Sequence, residues 1–476
     1  MTHNFHSTVL REYDIRGIID ETLGEEDARA IGRGFATLLR RAGGKTVAVG
    51  CDGRLSSPML AQALTDGLTA SGCDVVQIGM SATPMLYYAQ ASAEEVDGGI
   101  QITGSHNPAN YNGFKMVFQG RPFFGDDILE IGRLAAAGDW IDGLKDGGIG
   151  SVKTREVLGE YIDRLLTGIE GIDAAQLSGL KIGWDAGNGA AGPALEALAA
   201  RLPGEHHLLF TEVDGHFPNH HPDPTVEANL EDLRSLVAAK NLHFGVAFDG
   251  DGDRIGAIDG EGRVIWGDQL LMIYAEDLLK RRLPGEEEPV IIADVKASRA
   301  LFDHVAQHGG KPMMWKTGHS LIKSKMKETA SPLAGEMSGH VFFADTYYGY
   351  DDALYAGIRL IAASARLGKS VTQLRGEMPN MLNTPEMRFQ VDESRKFAAI
   401  DEVSARLANS EHEVNATDGV RVTTADGWWL LRASNTQDVL VARAESDTQE
   451  GLDRLLAQID EQLELSGLER GETVGH

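Results

Sequence analysis

Cysteine is nearly absent. Cys51 and Cys73 are the only two in 476 residues, too few for a disulfide framework or a cysteine-built zinc site. Basic residues are scarce as well: 44 Lys+Arg face 71 Asp+Glu, a formal charge of -27. Such a surface repels nucleic acid and anionic membranes, so neither is expected as a partner. It also repels small anions, and an anionic substrate would need a local basic cluster to draw it in. No apolar run approaches a membrane span, and Met1 to Leu10 lacks a core of signal-peptide length, so a cytoplasmic location is expected. A P-loop is missing too. Gly44-Lys45-Thr46 ends like one, but Leu39 stands at the first glycine position and a strand follows instead of a helix. Gly368-Lys369-Ser370 fails the same way, with Ala363 at that position.

What is present is ordinary for a globular enzyme of roughly three or four domains: 42% hydrophobic and 24% charged residues. Tyr13-Asp14-Ile15-Arg16-Gly17 offers Arg16 as a substrate-facing cation or a solvated surface group. Short apolar strands at Thr46–Gly50, Asp74–Ile78 and Gly99–Thr103 alternate with helices from Ser57-Pro58 and through Met85 and Tyr88. The third strand runs into Thr103-Gly104-Ser105-His106-Asn107-Pro108 and then Tyr111-Asn112-Gly113-Phe114-Lys115. Ser105 therefore falls on a loop at a strand's carboxyl edge, where open α/β sheets bind ligands. A serine held there can be a nucleophile or a phosphate carrier; the plainer reading is a turn whose side chains cap their own backbone.

Gly187-Asn188-Gly189-Ala190-Ala191-Gly192 follows the strand Leu180–Trp184 and opens an Ala/Leu-rich helix, a literal dinucleotide fingerprint with Glu212 at the right distance for a ribose. Close strand-to-helix packing is the preferred reading, because the other motifs speak to phosphate and sugar. The imidazole-rich His216–Pro224 reads as a structured connection, since prolines break helical ligand spacing. The strand His243–Phe248 ends in Asp249-Gly250-Asp251-Gly252-Asp253-Arg254. Glycines between alternate carboxylates let all three point at one centre, which suits a hard divalent cation. An EF-hand is excluded by Arg254 and Gly260 at its glycine and glutamate positions, and room for a substrate phosphate favours Mg²⁺ over caged Ca²⁺.

A further α/β unit follows, through helices Gln269–Arg282 and Ser298–Gln307 and strands Val290–Ala293 and Pro312–Trp315. Lys316-Thr317-Gly318-His319 ends its last strand, placing Lys316 and His319 at the active edge. In Gly335-Glu336-Met337-Ser338-Gly339-His340, an acceptor, a hydroxyl and an imidazole can read vicinal sugar hydroxyls. Beyond Lys369–Pro385 the pattern changes to strand, helix, strands, helix. There Arg432-Ala433-Ser434-Asn435-Thr436 offers a guanidinium, hydroxyls, an amide and loop N–H groups to an oxyanion.

With Thr103–Pro108, Asp249–Arg254, Gly335–His340 and Arg432–Thr436 in this order, the chain resembles the α-D-phosphohexomutase family, in its phosphomannomutase/phosphoglucomutase branch. The resemblance covers nearly the whole chain. It implies three similar mixed α/β domains and a smaller α+β C-terminal domain around a central cleft, here 1–153, 154–256, 257–370 and 371–476. No internal sequence repeat is visible, so the likeness of the first three comes from the family alone. The family implies hexose 1-phosphate and 6-phosphate (mannose and/or glucose) as substrates, a phosphoserine enzyme, a hexose 1,6-bisphosphate intermediate or activator, and one Mg²⁺ per chain. Ser105 is then the phosphoserine and, with Asp249, Asp251 and Asp253, a metal ligand. Tyr13, Lys316, Glu336, Ser338 and His340 bind substrate, Glu336 and Ser338 through sugar hydroxyls; Arg432, Ser434, Asn435 and Thr436 bind the phosphate not being transferred. Lys115, Arg16 and His319 are acid/base or charge-stabilising candidates, with His106 and Arg254 close by. A monomer or weak homodimer is expected. One departure stands out: Gln437-Asp438 replaces the proline of related sequences, which loosens that loop and adds charge beside a dianion.

Overall fold

Strands such as Gly98–Ile102 and Phe244–Phe248 are buried at every position, as expected for parallel strands covered on both faces. A computed structural model describes residues 2–283, 285–408, 410–434 and 438–471. Four sheets organise the described residues. In the first, Asp74–Met80, Thr46–Cys51 and Gly98–Ile102 run parallel in that spatial order, and Tyr111–Phe118 closes against the last of them antiparallel. Ile15–Ile18 and Val152–Thr154 add the two edges.

The second sheet repeats the plan. Glu205–Leu209, Lys181–Asp185 and Phe244–Phe248 are parallel, and Ile255–Asp259 is antiparallel to the last. The third sheet repeats it again, with Lys311–Trp315, Val290–Asp294 and Leu333–Gly335, then antiparallel Val341–Phe343. Because Ile255–Asp259 pairs onto Phe244–Phe248, and Val264–Ile265 in turn onto Ile255–Asp259, the second sheet continues beyond the 256/257 break expected from the sequence. The hairpin completes that sheet's hydrogen bonding and cannot be assigned to its neighbour.

The threefold topology, invisible as a sequence repeat, places three loops equivalently. Each joins the third parallel strand to its antiparallel partner, and these are the loops carrying Ser105, Asp249–Arg254 and Glu336–His340. The helix Ala353–Leu367 ties the units together within one apolar cluster that runs from Ala48 to Leu374. The fourth sheet is antiparallel, ordered Leu382–Asn383, Val439–Ser446, Gly427–Ala433, Val420–Thr424 and Glu413–Asn415. Glu393–Leu407 and Gln449–Leu465 cover it. It is fastened to the third unit by Arg421, whose guanidinium donates to the carbonyls of Val295 and Ala297 and stacks 3.6 Å over Trp428. Among the described residues no helix is long and apolar enough to cross a membrane.

Candidate active site

The loop after Gly98–Ile102 is shaped by a buried arginine that the sequence reading passed over. The Arg54 guanidinium donates to the carbonyls of Ser105 (2.8 Å), Asn107 (2.5 Å), Pro108 (2.5 Å) and Tyr111 (3.1 Å). Asp52 accepts from the Gly104 N–H (3.0 Å) and pairs with Arg54. A side chain on Gly104 would collide with Arg54, since its Cβ would lie 2.3 Å from Nε. Held this way, Ser105 adopts φ +49°, a left-handed conformation that a serine takes at a cost. Its only sequence signal was position: Arg54 follows the neighbouring strand at the same carboxyl edge.

Ser105 Oγ donates to Asp249 Oδ2 at 2.8 Å and lies 3.2 Å from His106 Nδ1. Asp249, Asp251 and Asp253 are fully buried, and one oxygen of each lies within 4.8 Å of the others. The Asp249 carboxyl is pushed well above the usual range by burial and by its two like-charged neighbours. Lys115 meets this charge, donating to Asp251 Oδ2 at 2.8 Å and also to Asp253. Burial alone would lower the ammonium's pKa; the three carboxylates raise it instead. Asp251 Oδ1 remains buried with no hydrogen-bond donor among the described residues, so this all-oxygen set suits a hard dication.

The glycine run 187–192 braces that loop. The Ala190 N–H donates to the Gly250 carbonyl (2.9 Å). A Cβ on Gly189 would come within 2.7 Å of that oxygen, and one on Gly192 within 2.0 Å of the Thr211 carbonyl. Glu212 is exposed and offers its backbone carbonyl to Asn188. Close packing accounts for Gly189 and Gly192, in line with the preferred reading. His220 pairs with buried Asp185 (3.0 Å) within its loop.

A cleft of about 930 Å³ collects the other candidates from all four units. Tyr13, Arg16, Ser105, His106, Lys115 and Arg254 line it, as do His319, Glu336, Ser338, His340, Arg432 and Ser434. Lys316 is exposed and does not line it. Asn435 and Thr436 lie outside the described residues. Arg11, Lys296, Arg388 and Arg443 add positive charge that the sequence reading did not assign to the site. This is the basic cluster that an acidic protein needs for an anionic ligand.

Glu336 accepts from the Gly318 N–H (2.7 Å) and bonds His340 Nδ1 (2.9 Å). His340 Nε2 stands 3.3 Å from Asp253, so the second and third loops share one electrostatic network. Burial would lower the His340 pKa, but Asp253 and Glu336 lift it to about 9. His319 goes the other way. Burial first, then Lys323, His340 and Lys115, press its pKa well down, and it starts the helix His319–Thr329, where a positive imidazole is disfavoured. Arg432 is oriented by Asp418, which accepts from its Nε at 3.0 Å and also from the Thr317 N–H at 3.0 Å. Asp438 pairs with Lys396 at 3.6 Å, which offsets part of the charge that it brings to the phosphate loop.

Residues 7–141, 159–262 and 266–381 match the phosphoglucomutase/phosphomannomutase alpha/beta/alpha domains I, II and III, and 386–462 match the C-terminal domain of the same family. A phosphomannomutase/phosphoglucomutase of Pseudomonas aeruginosa is 42% identical over 457 residues, covering 96% of both chains. A phosphoglucomutase of Neisseria meningitidis is 40% identical over 457 residues, again 96% of each. The crystal structure of a phosphoglucomutase/phosphomannomutase family protein from Burkholderia thailandensis superposes with a TM-score of 0.89 at 41% identity, covering 99% of this chain and all of that one.

Proposed function

The chain belongs to the phosphoglucomutase/phosphomannomutase family, and from that membership we propose that this mutase of the isomerase class interconverts the 1- and 6-phosphates of mannose and glucose through phospho-Ser105. The observation that carries the role of Ser105 is its hydroxyl 2.8 Å from Asp249, on a loop that four hydrogen bonds from Arg54 hold rigid. Phospho-Ser105 transfers its phosphoryl group to the free hydroxyl of a bound hexose monophosphate. The bond from phosphorus to the serine oxygen breaks, a bond to the sugar oxygen forms, and the hydroxyl proton leaves to a base. The hexose 1,6-bisphosphate so made turns end for end, and the reverse transfer returns the other phosphate to Ser105.

The residues divide this work by charge. Lys115, held as an ammonium by its carboxylate neighbours, is suited to stabilise or protonate the departing serine oxygen. His319, held neutral, is suited to accept the sugar's proton. Glu336 and Ser338 read two sugar hydroxyls that survive the turn. Arg432 and Ser434 grip the phosphate that is not transferred. Asp249, Asp251 and Asp253, with the oxygen on Ser105, would hold Mg²⁺, which neutralises charge on the transferring group when bound.

The test is conversion of mannose and glucose 1-phosphates to the 6-phosphates with Mg²⁺ and a trace of hexose 1,6-bisphosphate, followed by intact-mass and peptide mapping. The wild type should carry one phosphate on Ser105. Ser105→Ala should lose the phosphate and most of the activity while keeping its fold. Phosphate on another residue alone would overturn the assignment.

A further inference from the structure

The helix Gly267–Lys280 begins under the Glu336–His340 loop and ends far from the cleft, against the helix Arg299–Gln307. At that far end three side chains converge: Glu276 from the first helix, and His304 and His308 from the second. The histidines are four residues apart and so share one helix face. Their rings lie 4.2 Å apart, and one ligand atom from each of the three residues lies within 4.8 Å of the others. None of them lines the cleft.

His304 Nε2 is buried with no hydrogen-bond partner among the described residues. His308 Nδ1 donates to the His304 carbonyl at 2.9 Å, a bond that fixes the tautomer and leaves its lone pair on Nε2. Glu276 uses Oε1 to accept from Lys280 (2.6 Å), which leaves Oε2 facing His304 Nε2 at 3.6 Å. The two atoms face each other across a gap too long for a hydrogen bond, and a cation between them would bond to both. Their separation is close to the ligand-to-ligand edge of a tetrahedron with bonds of about 2.0–2.1 Å.

We propose that Glu276, His304 and His308 form a second cation site, one that takes Zn²⁺ and fastens these two helices of the third unit together. Two imidazoles and one carboxylate suit Zn²⁺, whereas Mg²⁺ prefers the all-oxygen set of the cleft. The two sites therefore select different ions. Lys280 brings a like charge to the edge of the site, so the ion is held reversibly.

The full chain, kept in excess Mg²⁺ so that the carboxylate loop is occupied, would be titrated with Zn²⁺ by calorimetry and with Co²⁺ by visible absorption. One Zn²⁺ should bind per chain, raise the melting temperature, and give with Co²⁺ the intense bands of a four-coordinate ion. His308→Gln and Glu276→Gln should each weaken Zn²⁺ at least about tenfold and abolish those bands. Both variants should retain wild-type circular dichroism and Mg²⁺-dependent mutase activity. Zn²⁺ binding that survives in His308→Gln and in His304→Gln, or that disappears only in Asp251→Asn, would overturn the proposal, as would absence of binding to the wild type.

Discussion

Lys115 Nζ donates to Asp251 Oδ2 at 2.8 Å across a separation of 136 residues, both side chains buried. The bond joins the unit that presents Ser105 to the unit that presents the carboxylates. It also sets an ammonium against the oxygens proposed to hold a dication. Removing one partner of a buried pair leaves the other uncompensated, at about 3–5 kcal/mol.

Lys115→Met should therefore melt well below the wild type in chelator, and Mg²⁺ should restore more stability to the variant than to the wild type. Thermal melts with and without Mg²⁺ give the comparison. An equal Mg²⁺ effect on both proteins would mean that lysine and metal do not share these oxygens.

Arg54 does not line the cleft; it positions the loop that carries Ser105. Arg54→Lys keeps the charge but loses the planar fork that serves four carbonyls. A misplaced nucleophile costs on the order of a hundredfold, so kcat should fall by about that factor while KM changes little. A variant whose KM rises with kcat intact would assign Arg54 to substrate binding.

Mannose and glucose share O3 and O4 and differ at C2. If the Glu336–Ser338 loop reads O3 and O4, the two sugar phosphates should be processed with similar kcat/KM. A lost hydrogen bond to a buried group costs about 1–3 kcal/mol, so galactose 1-phosphate should be roughly ten- to a hundredfold poorer. Glu336→Gln should impair both natural substrates alike. A larger gap between mannose and glucose than between galactose and glucose would remove the loop from this role.

Asp352 caps the helix Ala353–Leu367 through the Tyr355 N–H and accepts from the hydroxyls of Tyr161 and Tyr347. Burial raises its pKa to about 6, above the usual carboxylate value of 3.8. The fold therefore favours the protonated form. Its contribution is fully present below pH 3.8 and is lost as pH rises through about 6, on the order of 2–3 kcal/mol. Between pH 5 and 7 the wild type should lose stability relative to Asp352→Asn in denaturant titrations. Parallel pH profiles for the two proteins would show that this carboxyl stays ionised throughout.

Burial pushes the thiols of Cys51 and Cys73 up to about 12, leaving almost no thiolate at pH 8. Neither should react with a disulfide reagent at that pH until the protein is denatured, when two thiols per chain should titrate. Rapid labelling of the native protein would place a thiolate at one of these positions.

The sequence by itself determined the local features. Unbroken apolar runs marked the buried strands, glycines between alternate aspartates let their carboxylates turn to one centre, and the strand before Thr103 put Ser105 at a carboxyl edge. Four ordered motifs were enough for the family, because each depends on neighbours in the chain. The glycine run at 187–192 shows where that reasoning stops: its spacing fits a nucleotide fold equally well, and only the Gly250 and Thr211 carbonyls pressed against it reveal a brace. Tertiary structure alone decided which distant groups meet. It repeated one sheet plan three times with no repeat in sequence, since burial constrains polarity and size at a position more than identity. It also brought Arg54 under the Ser105 loop, set Asp418 behind Arg432, and left Lys316 outside the cleft. Protonation followed from the same packing. Lys115 and His319 are ordinary cations in a sequence; carboxylates more than a hundred residues away hold the first as an ammonium, and burial, with cationic neighbours behind it, holds the second neutral.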